Sequence, residues 1–323
     1  MKTAVTHSRR TRARPRYASM ALFGSFVIGG CLRFALVSAT PLLGTELASF
    51  TVLGGSTVTN VPASAIVGNV GVWSSGGANA VTGFNSSPGV AVSDPQVTGG
   101  TVQAGTMTGS PNAMTAQQQL ITAITNLGSL GPGTLEPADL TGLTLLPGVY
   151  TVPAGTTNLS GTLTLDGNGN SNAAWVFQMP STLITSPDSV VTVVNTGAGA
   201  GVYWNVGSSA TIDAGTTFAG NILALDSITM GAAASDFCGR SLAETGAVTL
   251  QQNSLSGTCS GVAVGSGGLS SGLSGGLDVA RSGRVSILPS ASVPEPSALS
   301  LLLLGLIVIG FAARTRRQKP GAS

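Results

Sequence analysis

The chain of 323 residues has few of the side chains that catalysis, metal binding and nucleic-acid binding require. Only 8% of the residues are charged, three are cysteine and one is histidine. Between residues 41 and 260 there are ten acidic residues and a single basic one, Arg240, so this region has no basic patch for phosphates. Nucleic acid is therefore excluded as an expected partner. No metal site is expected either, because the one histidine, His7, lies in the basic amino end.

A polysaccharide-processing enzyme is a second class that the composition disfavours. Such an enzyme needs carboxylates or basic residues that converge in a cleft. The central acids are scattered singly, as at Asp166, Asp188, Asp213, Asp226 and Asp236, and isolated aspartates in glycine-rich sequence are typical of turns. We therefore expect neither catalysis nor a cofactor.

The residues that are abundant indicate an all-β protein. Glycine occurs 46 times, and short apolar runs such as residues 163–165, 190–194 and 248–250 are separated by glycine, asparagine and aspartate. Several runs spaced by about 8 to 12 residues are typical of a β-sandwich or a β-solenoid. Threonine recurs between apolar neighbours at positions 211, 229 and 249, which favours a solenoid whose coils stack about 4.8 Å apart.

One segment interrupts the β pattern and predicts a helix over residues 111–127. Ser110 is the expected cap, Pro111 suits a first helical turn, and Gly128 is the expected end. The expected apolar stripe consists of Met114, Leu120, Ile121, Ile124 and Leu127.

The amino end, residues 1–40, is typical of an export signal. A basic stretch reaches Arg16, an apolar run covers residues 21–36, and small residues at 37–39 suit cleavage. An uncleaved anchor helix is the alternative. Cleavage near Ala39 leaves Cys238 and Cys259 in an exported protein, where a disulfide closing a loop of about 20 residues is expected to stabilise by roughly 3 kcal/mol. Two unlinked thiols are the other possibility.

The carboxyl end has two parts. Residues 261–292 are rich in glycine and serine and predict a flexible linker after the main domain, residues 41–260. Residues 293–323 contain Pro294, Glu295 and Pro296, an apolar run and a basic cluster. This order resembles the PEP-CTERM sorting signal of Gram-negative bacteria, which implies processing by an exosortase and delivery to the cell surface or outside. Transient membrane association through the apolar helix is implied before processing. An ordinary single-span anchor is the alternative.

The central region resembles the microbial ice-binding proteins that have a discontinuous β-solenoid. The stretches that support the resemblance follow one another in family order over about two thirds of the chain; they include LGTELASFTVLGGSTVTN at 43–60, AIVGNVGV at 65–72, LTGLTLLPGVY at 140–150 and TTFAGNILALDSIT at 216–229. The resemblance implies a monomeric, right-handed β-helix of triangular section with one long helix alongside. It also implies that activity resides on an exposed flat face.

The outward positions of the solenoid strands are the candidate ice-binding residues. In a strand the apolar neighbours point into the coil and the threonine points out. The predicted set is Thr57, Thr59, Thr82, Thr156, Asn158, Thr182, Ser186, Ser209, Thr211, Ser227, Thr229, Ala247 and Thr249, with Ala80 and Ile184 at equivalent positions. Short, stiff, uncharged side chains suit an ice crystal surface. The alternative is a cell-surface or matrix adhesion protein on the same scaffold, whose threonines only reflect β propensity.

Overall fold

The computed structural model describes residues 40–74, 80–87, 89–104, 112–259, 272–280 and 282–290. The expected export signal before Thr40 and the expected sorting signal, residues 293–323, lie outside these ranges. No helix within them is long and apolar enough to cross a membrane.

Short strands form most of the described chain. The elements up to the long helix are β1 Thr40–Pro41, α1 Thr45–Ser49, β2 Phe50–Gly54, β3 Val58–Asn60, β4 Ala65–Val67, β5 Asn69–Val72, β6 Val81–Thr82, β7 Ala91–Val92, β8 Val97–Thr98, β9 Val102–Ala104 and α2 Ala113–Gly128. The following strands are β10 Thr134–Leu135, β11 Thr144–Leu145, β12 Gly148–Thr151, β13 Thr162–Asp166, β14 Ala174–Met179, β15 Leu183–Ile184, β16 Val190–Val194, β17 Gly201–Val206 and β18 Ala210–Ile212. The last are β19 Thr217–Phe218, β20 Asn221–Ala224, β21 Ile228–Met230, β22 Ser235–Asp236, β23 Arg240–Ala243, β24 Val248–Leu250, β25 Ser254–Ser256, β26 Leu277–Val279 and β27 Val285–Ile287.

Three sheets, almost entirely parallel, carry the coils of the chain. The helix-covered sheet has the order β10-β12-β14-β17-β20-β23-β2-β5-β9-β7, and the threonine sheet has the order β15-β18-β21-β24-β3-β6. The third sheet has the order β11-β13-β16-β19-β22-β25-β4-β8. From β14 to β25 each coil visits the helix-covered, threonine and third sheets in turn. The expected β-helical architecture is therefore confirmed.

The coils do not stack in chain order. In each of these three sheets, strands from the amino-terminal part of the chain lie next to strands from its carboxyl-terminal part. β2 pairs with β23, β3 with β24 and β4 with β25. Gly55 permits this close approach, since a Cβ atom there would lie 2.2 Å from the carbonyl oxygen of Glu244. After β9 the chain passes through α2 and begins the far end of the sheet at β10.

Aromatic rings stack inside the coils. Tyr150 and Phe177 have ring centroids 5.8 Å apart, Phe177 and Trp204 4.0 Å apart, and Trp204 and Phe218 5.0 Å apart. The Trp204 indole N–H is satisfied by the carbonyl oxygen of Ala219 at 3.1 Å. Each of these buried rings stabilises the fold by about 1.5–3 kcal/mol. This stack of aromatic rings packs the interior of the coils.

The helix α2 begins two residues later than expected and presents a different face. Asn112 is its N-cap, and the Asn112 side chain accepts a hydrogen bond from the Thr115 backbone N–H. Ile121 of the expected stripe is 44% exposed and Met114 is half-buried, although Leu120 and Leu127 are fully buried. Alanines supply the rest of the contact, namely Ala113, Ala116 and Ala123. Small helix residues are needed because the sheet below already carries bulky ones such as Phe50 and Tyr203.

The expected linker, residues 261–292, is in part folded structure. We call residues 272–290 the strap: its strands β26 and β27 form an antiparallel hairpin, and β26 pairs with β1. Leu273, Leu277 and Val285 are buried. The glycine content misled because glycine here permits close packing rather than flexibility, and a Cβ atom on Gly275 would lie 2.2 Å from the Gly199 carbonyl oxygen.

Arg240 joins parts of the chain that are distant in sequence. Its guanidinium donates to the carbonyl oxygens of Ala48, Gly257 and Gly272 and to Oδ1 of Asn221, at 2.8 to 3.1 Å. These contacts use all five N–H groups. Burial lowers the pKa of Arg240 to about 10, opposed by Tyr203 and Asp236, so the side chain stays charged at neutral pH.

Asp236 corrects one expectation, because it is a buried strand residue and not a turn residue. It lies in β22 beside Phe218 and Leu255 and is 1% exposed. Burial raises the pKa of its carboxyl group, although hydrogen bonds from Cys238 and Gly220 and the charge of Arg240 act in the opposite direction.

Nearby, a disulfide joins Cys238 and Cys259, whose sequence separation is 21.

Candidate functional site

The threonine sheet aligns threonines from two distant parts of the chain. Its strand register places Thr211 beside Thr229, Thr229 beside Thr249, Thr249 beside Thr59, and Thr59 beside Thr82. We call these five residues the threonine column. Thr211 and Thr82 are exposed and the others are half-buried. At about 4.8 Å per strand the column is roughly 19 Å long.

Buried neighbours hold each threonine in its outward position. Ile228 and Met230 flank Thr229, and Val248 and Leu250 flank Thr249; all four are 0% exposed. Because alternate side chains of a strand point to opposite faces, these anchors force the threonine outward. The stiff χ1 of threonine and the packed interior make the column rigid.

A second set of small residues lies two positions before the column and mainly braces the sheet. It comprises Thr182, Ser209, Ser227, Ala247, Thr57 and the buried Ala80. Oγ of Ser209 accepts from the Ser227 backbone N–H at 3.3 Å, and Oγ of Ser227 accepts from the Ala247 N–H at 3.0 Å. These hydroxyls thus link successive coils.

The column ends at Ile184, and some expected site residues lie outside it. Ile184 is in register with Thr211. Asn158 is 0% exposed: its Oδ1 accepts from the Ile184 N–H and its Nδ2 donates to the Ala138 carbonyl oxygen, each at 3.0 Å. It therefore caps the sheet instead of facing solvent. Thr156 is exposed but lies in a loop, and Ser186 lies beyond the end of β15 in a turn.

The strands of the threonine sheet contain no charged residue. Asp213 and Asp226 lie at the turns on either side. Asp226 accepts hydrogen bonds from the hydroxyls of Ser208 and Thr245, each at 3.2 Å. The acids nearest in sequence to the sheet therefore serve its corners, and the face between them is uncharged.

The third sheet has outward threonines that the sequence analysis overlooked. Thr144, Thr164 and Thr192 are in register, and Thr162 and Thr217 lie on either side of Val190. Both rows stop after a few strands, whereas the threonine column is uninterrupted over five. The signal was present in the sequence as Leu-Thr-Leu at residues 143–145 and again at residues 163–165, one coil later.

The described surface offers little for catalysis or metal binding. The described residues contain no group of three histidine, cysteine or acidic side chains that could hold a metal ion. A groove of about 510 Å³ at the end of α2 is lined by apolar and amide side chains, including Ile124, Met179 and Leu225. Asp166 accepts from the backbone of Asn168 and the side chain of Asn195, and these bonds lower its pKa. It is the last residue of β13, and its carboxylate therefore supports the turn that follows.

These features define a class of protein: a β-helix with one sheet covered by a helix and another sheet that presents a continuous column of threonine. The chain belongs to the Ice-binding-like family, whose model matches residues 52–256. A second model, the PEP-CTERM protein-sorting motif, matches residues 292–317.

Relatives and solved structures agree with this assignment. An ice-binding protein of Nostoc sp. (strain HG1) is 39% identical over 287 residues, which cover 88% of this chain and 91% of the relative. Ice-binding protein K3-B1 of Typhula ishikariensis is 34% identical over 59% of this chain and 79% of its own length. The structure of an ice-binding protein from an Arctic yeast, solved to explain its antifreeze activity, has a TM-score of 0.59 and 26% identity, covering 69% of this chain and 96% of that one.

Proposed function

We propose that this protein is exported and adsorbs to ice through the threonine column. The observation that carries the proposal is the register of Thr211, Thr229, Thr249, Thr59 and Thr82, five equal side chains at equal spacing on an uncharged sheet. β propensity alone would favour threonine at exposed strand positions. It does not require one residue type at every consecutive position of a column built from two separate chain segments.

Adsorption through such a column depends on many weak contacts. Each threonine offers a methyl group and a hydroxyl in one preferred orientation. Water molecules held between successive threonines would repeat at the strand spacing and could merge with an ice lattice. Since no single contact is strong, release requires the simultaneous loss of several. No residue acts as a catalyst in this scheme, and no cofactor is needed.

The finer features of the architecture belong to the same proposal. The winding is right-handed, the section is triangular, and the protein acts as a monomer, with residues 41–260 as the ice-binding domain. Residues 1–40 direct export. An exosortase then recognises Pro294, Glu295 and Pro296 while the apolar segment at residues 298–313 holds the chain in the membrane. The match of the sorting motif supports delivery to the cell surface or beyond it.

A charge placed in the column tests the proposal. Thr229→Arg leaves Ile228 and Met230 buried, so stability should change by only about 0.5 kcal/mol. Ice-recrystallisation inhibition and thermal hysteresis should nevertheless fall sharply, since the long cation interrupts the flat surface at its middle. Thr164→Arg is the matched control, because Thr164 is also half-buried and also lies mid-strand between aligned threonines, but on the third sheet. It should retain activity.

The same pair of variants separates ice binding from adhesion on an inactive scaffold. Full activity of a well-folded Thr229→Arg protein would mean that the threonine column is not the ice-binding face. If the unsubstituted protein shows neither recrystallisation inhibition nor hysteresis, ice is not its ligand and a surface or matrix role becomes the better interpretation.

A further inference from the structure

The two ends of the described chain meet in one small sheet. Thr40 pairs with Val279 and Pro41 with Asp278, and β26 pairs in turn with β27. The residue after the expected export signal therefore lies beside the strap, which ends at Ser290 three residues before the expected sorting signal. We call β1, β26 and β27 the small sheet. The first and the last strand of the described chain therefore belong to the same sheet.

The strap is fixed at the corner between the third and helix-covered sheets. The Val202 N–H donates to the Leu273 carbonyl oxygen at 2.9 Å, and the Gly275 N–H donates to the Ala200 carbonyl oxygen at 3.0 Å. Both bonds lie where the chain enters β17 from β16. The Tyr203 hydroxyl, buried on the helix side, donates to the Gly275 carbonyl oxygen at 2.8 Å.

The end of the strap follows the same corner. Ser290 lines a groove of about 450 Å³ with Leu146, Pro147 and residues 167–170, which connect third-sheet strands to helix-covered strands. Each coil turns three times, and this is the one turn that adjoins no strand of the threonine sheet. In the proposed triangular section, this corner is opposite the threonine column.

Charge distinguishes the small sheet from the rest of the body. Arg284, between β26 and β27, is exposed. From residue 41 to residue 290 the sequence has only two other basic residues, Arg281 in the same connection and the buried Arg240. The remaining surface is acidic or neutral. An anionic lipid surface would therefore repel the acidic body more than the small sheet, where the exposed Arg284 offsets the charge of Asp278.

We propose that the small sheet is the membrane-facing side of the protein, which orients the threonine column away from the lipid while the sorting segment is in the membrane. This inference rests on the membrane step of the proposed function. The seven residues between Ser290 and Ala298 can span at most about 28 Å. A tether this short keeps the corner that carries the strap close to the lipid. Because that corner is opposite the threonine column in the proposed section, the column should face away from the lipid.

The near absence of lysine provides a test, since the chain has only Lys2 and Lys319. In a chain with both changed to arginine, Ser286→Lys places one amine on the exposed face of the small sheet, and Thr229→Lys places one on the threonine column. Unprocessed protein from a host that lacks exosortase is first acetylated at its α-amino group near pH 6.5, where lysine stays protonated, and is then biotinylated at the lysine amine. The labelled protein is reconstituted in vesicles of phosphatidylcholine and phosphatidylglycerol. Streptavidin binding is then timed for each variant and normalised to its rate in detergent.

Streptavidin should bind the Ser286→Lys protein roughly fivefold more slowly than the Thr229→Lys protein on vesicles, because the tether geometry shields the small sheet. Inserting a flexible segment of about 30 glycine and serine residues after Ser290 should abolish the difference, since the longer tether no longer holds the strap close to the lipid. Ser290→Lys is a second reporter that lies outside the strand pairing, and it should behave like Ser286→Lys.

Equal rates on vesicles, a slower Thr229→Lys protein, or protection that survives the insertion would each overturn the inference. Failure of the unprocessed chain to remain with the vesicles would do so as well. Ice adsorption is assayed separately on the unsubstituted protein, so a protein that ignores ice would reject the proposed ligand and leave the orientation result intact.

Discussion

Removal of the Arg240 guanidinium is the most direct test of how the amino-terminal part of the chain and the strap are fastened to the later coils. Arg240→Met keeps most of the side-chain volume but removes the donors to Ala48, Gly257, Gly272 and Asn221. These acceptors belong to the amino-terminal helix, the end of the last coil, the strap and β20. Four oxygens at the meeting point of the chain ends would lose their partner at once.

The magnitude follows from opposing terms. Each buried acceptor left without a donor lowers the free energy of unfolding by about 1–3 kcal/mol. Removal of the buried cation partly offsets this loss, because its desolvation penalty disappears. We expect a net loss of about 3 kcal/mol, near the lower end for removal of one partner from a buried charged network. For a body of this size, that corresponds to a melting temperature lower by roughly 6–12 °C.

Thermal unfolding of the secreted protein at pH 7, followed by circular dichroism, measures the loss. Arg240→Lys is the matched control: it retains the charge but has three donors for four acceptors, so its melting temperature should fall between those of the other two proteins. Ice activity at low temperature should survive in both variants, because Arg240 lies in the helix-covered sheet. A melting temperature for Arg240→Met within about 2 °C of that of the unsubstituted protein would refute the idea that Arg240 holds these parts of the chain together.

Three further predictions concern the disulfide, the buried acid and the sorting motif. Reduction of the bond between Cys238 and Cys259 should lower the free energy of unfolding by about 3 kcal/mol, measured by urea titration with and without reductant; equal midpoints would contradict it. Burial raises the pKa of Asp236 above 3.8, so the folded state keeps a proton that the unfolded chain releases. Stability should therefore decrease as pH rises from about 4 toward neutrality, and Asp236→Asn should remove that part of the slope in melts across this range. A pH profile identical in both proteins would be incompatible with this reasoning. Replacement of Pro294 and Pro296 by alanine should retain the full-length protein in the membrane fraction, and unchanged release would reject the sorting interpretation.

Local periodicity favoured a solenoid over a sandwich, and the family resemblance supplied the β-helix with its exposed face. Thr211, Thr229 and Thr249 repeat at coil spacing between apolar residues, and that pattern carries both the strand assignment and the outward direction. It fails where a residue type serves two purposes. Asn158 looks like an outward polar residue, yet it caps the edge of the threonine sheet, because the edge strand β15 has backbone groups that need a partner.

Long-range pairing explains the remaining differences. Nothing local indicates that Thr59 stacks on Thr249, since strand neighbours are chosen by tertiary packing and not by sequence distance. The strap shows the same limit: its glycines suggested a flexible linker, but their role depends on backbone surfaces elsewhere in the chain. Arg240 was visible as the lone basic residue of the central region, and that isolation was the one clue to its structural role.

The out-of-order stacking has a consequence for biosynthesis. The Asn253 N–H donates to Oγ of Ser64 across 189 residues of sequence, beside the junction where Thr249 meets Thr59. Contacts between residues so far apart in sequence form late, because the loop between them must first be closed at a cost in conformational entropy. A chain emerging from the export channel therefore holds two incomplete patches, two threonines from the early coils and at most three from the later ones. Only the finished chain unites them, so the surface is assembled in a single closing step, and fragments released before that step cannot present it.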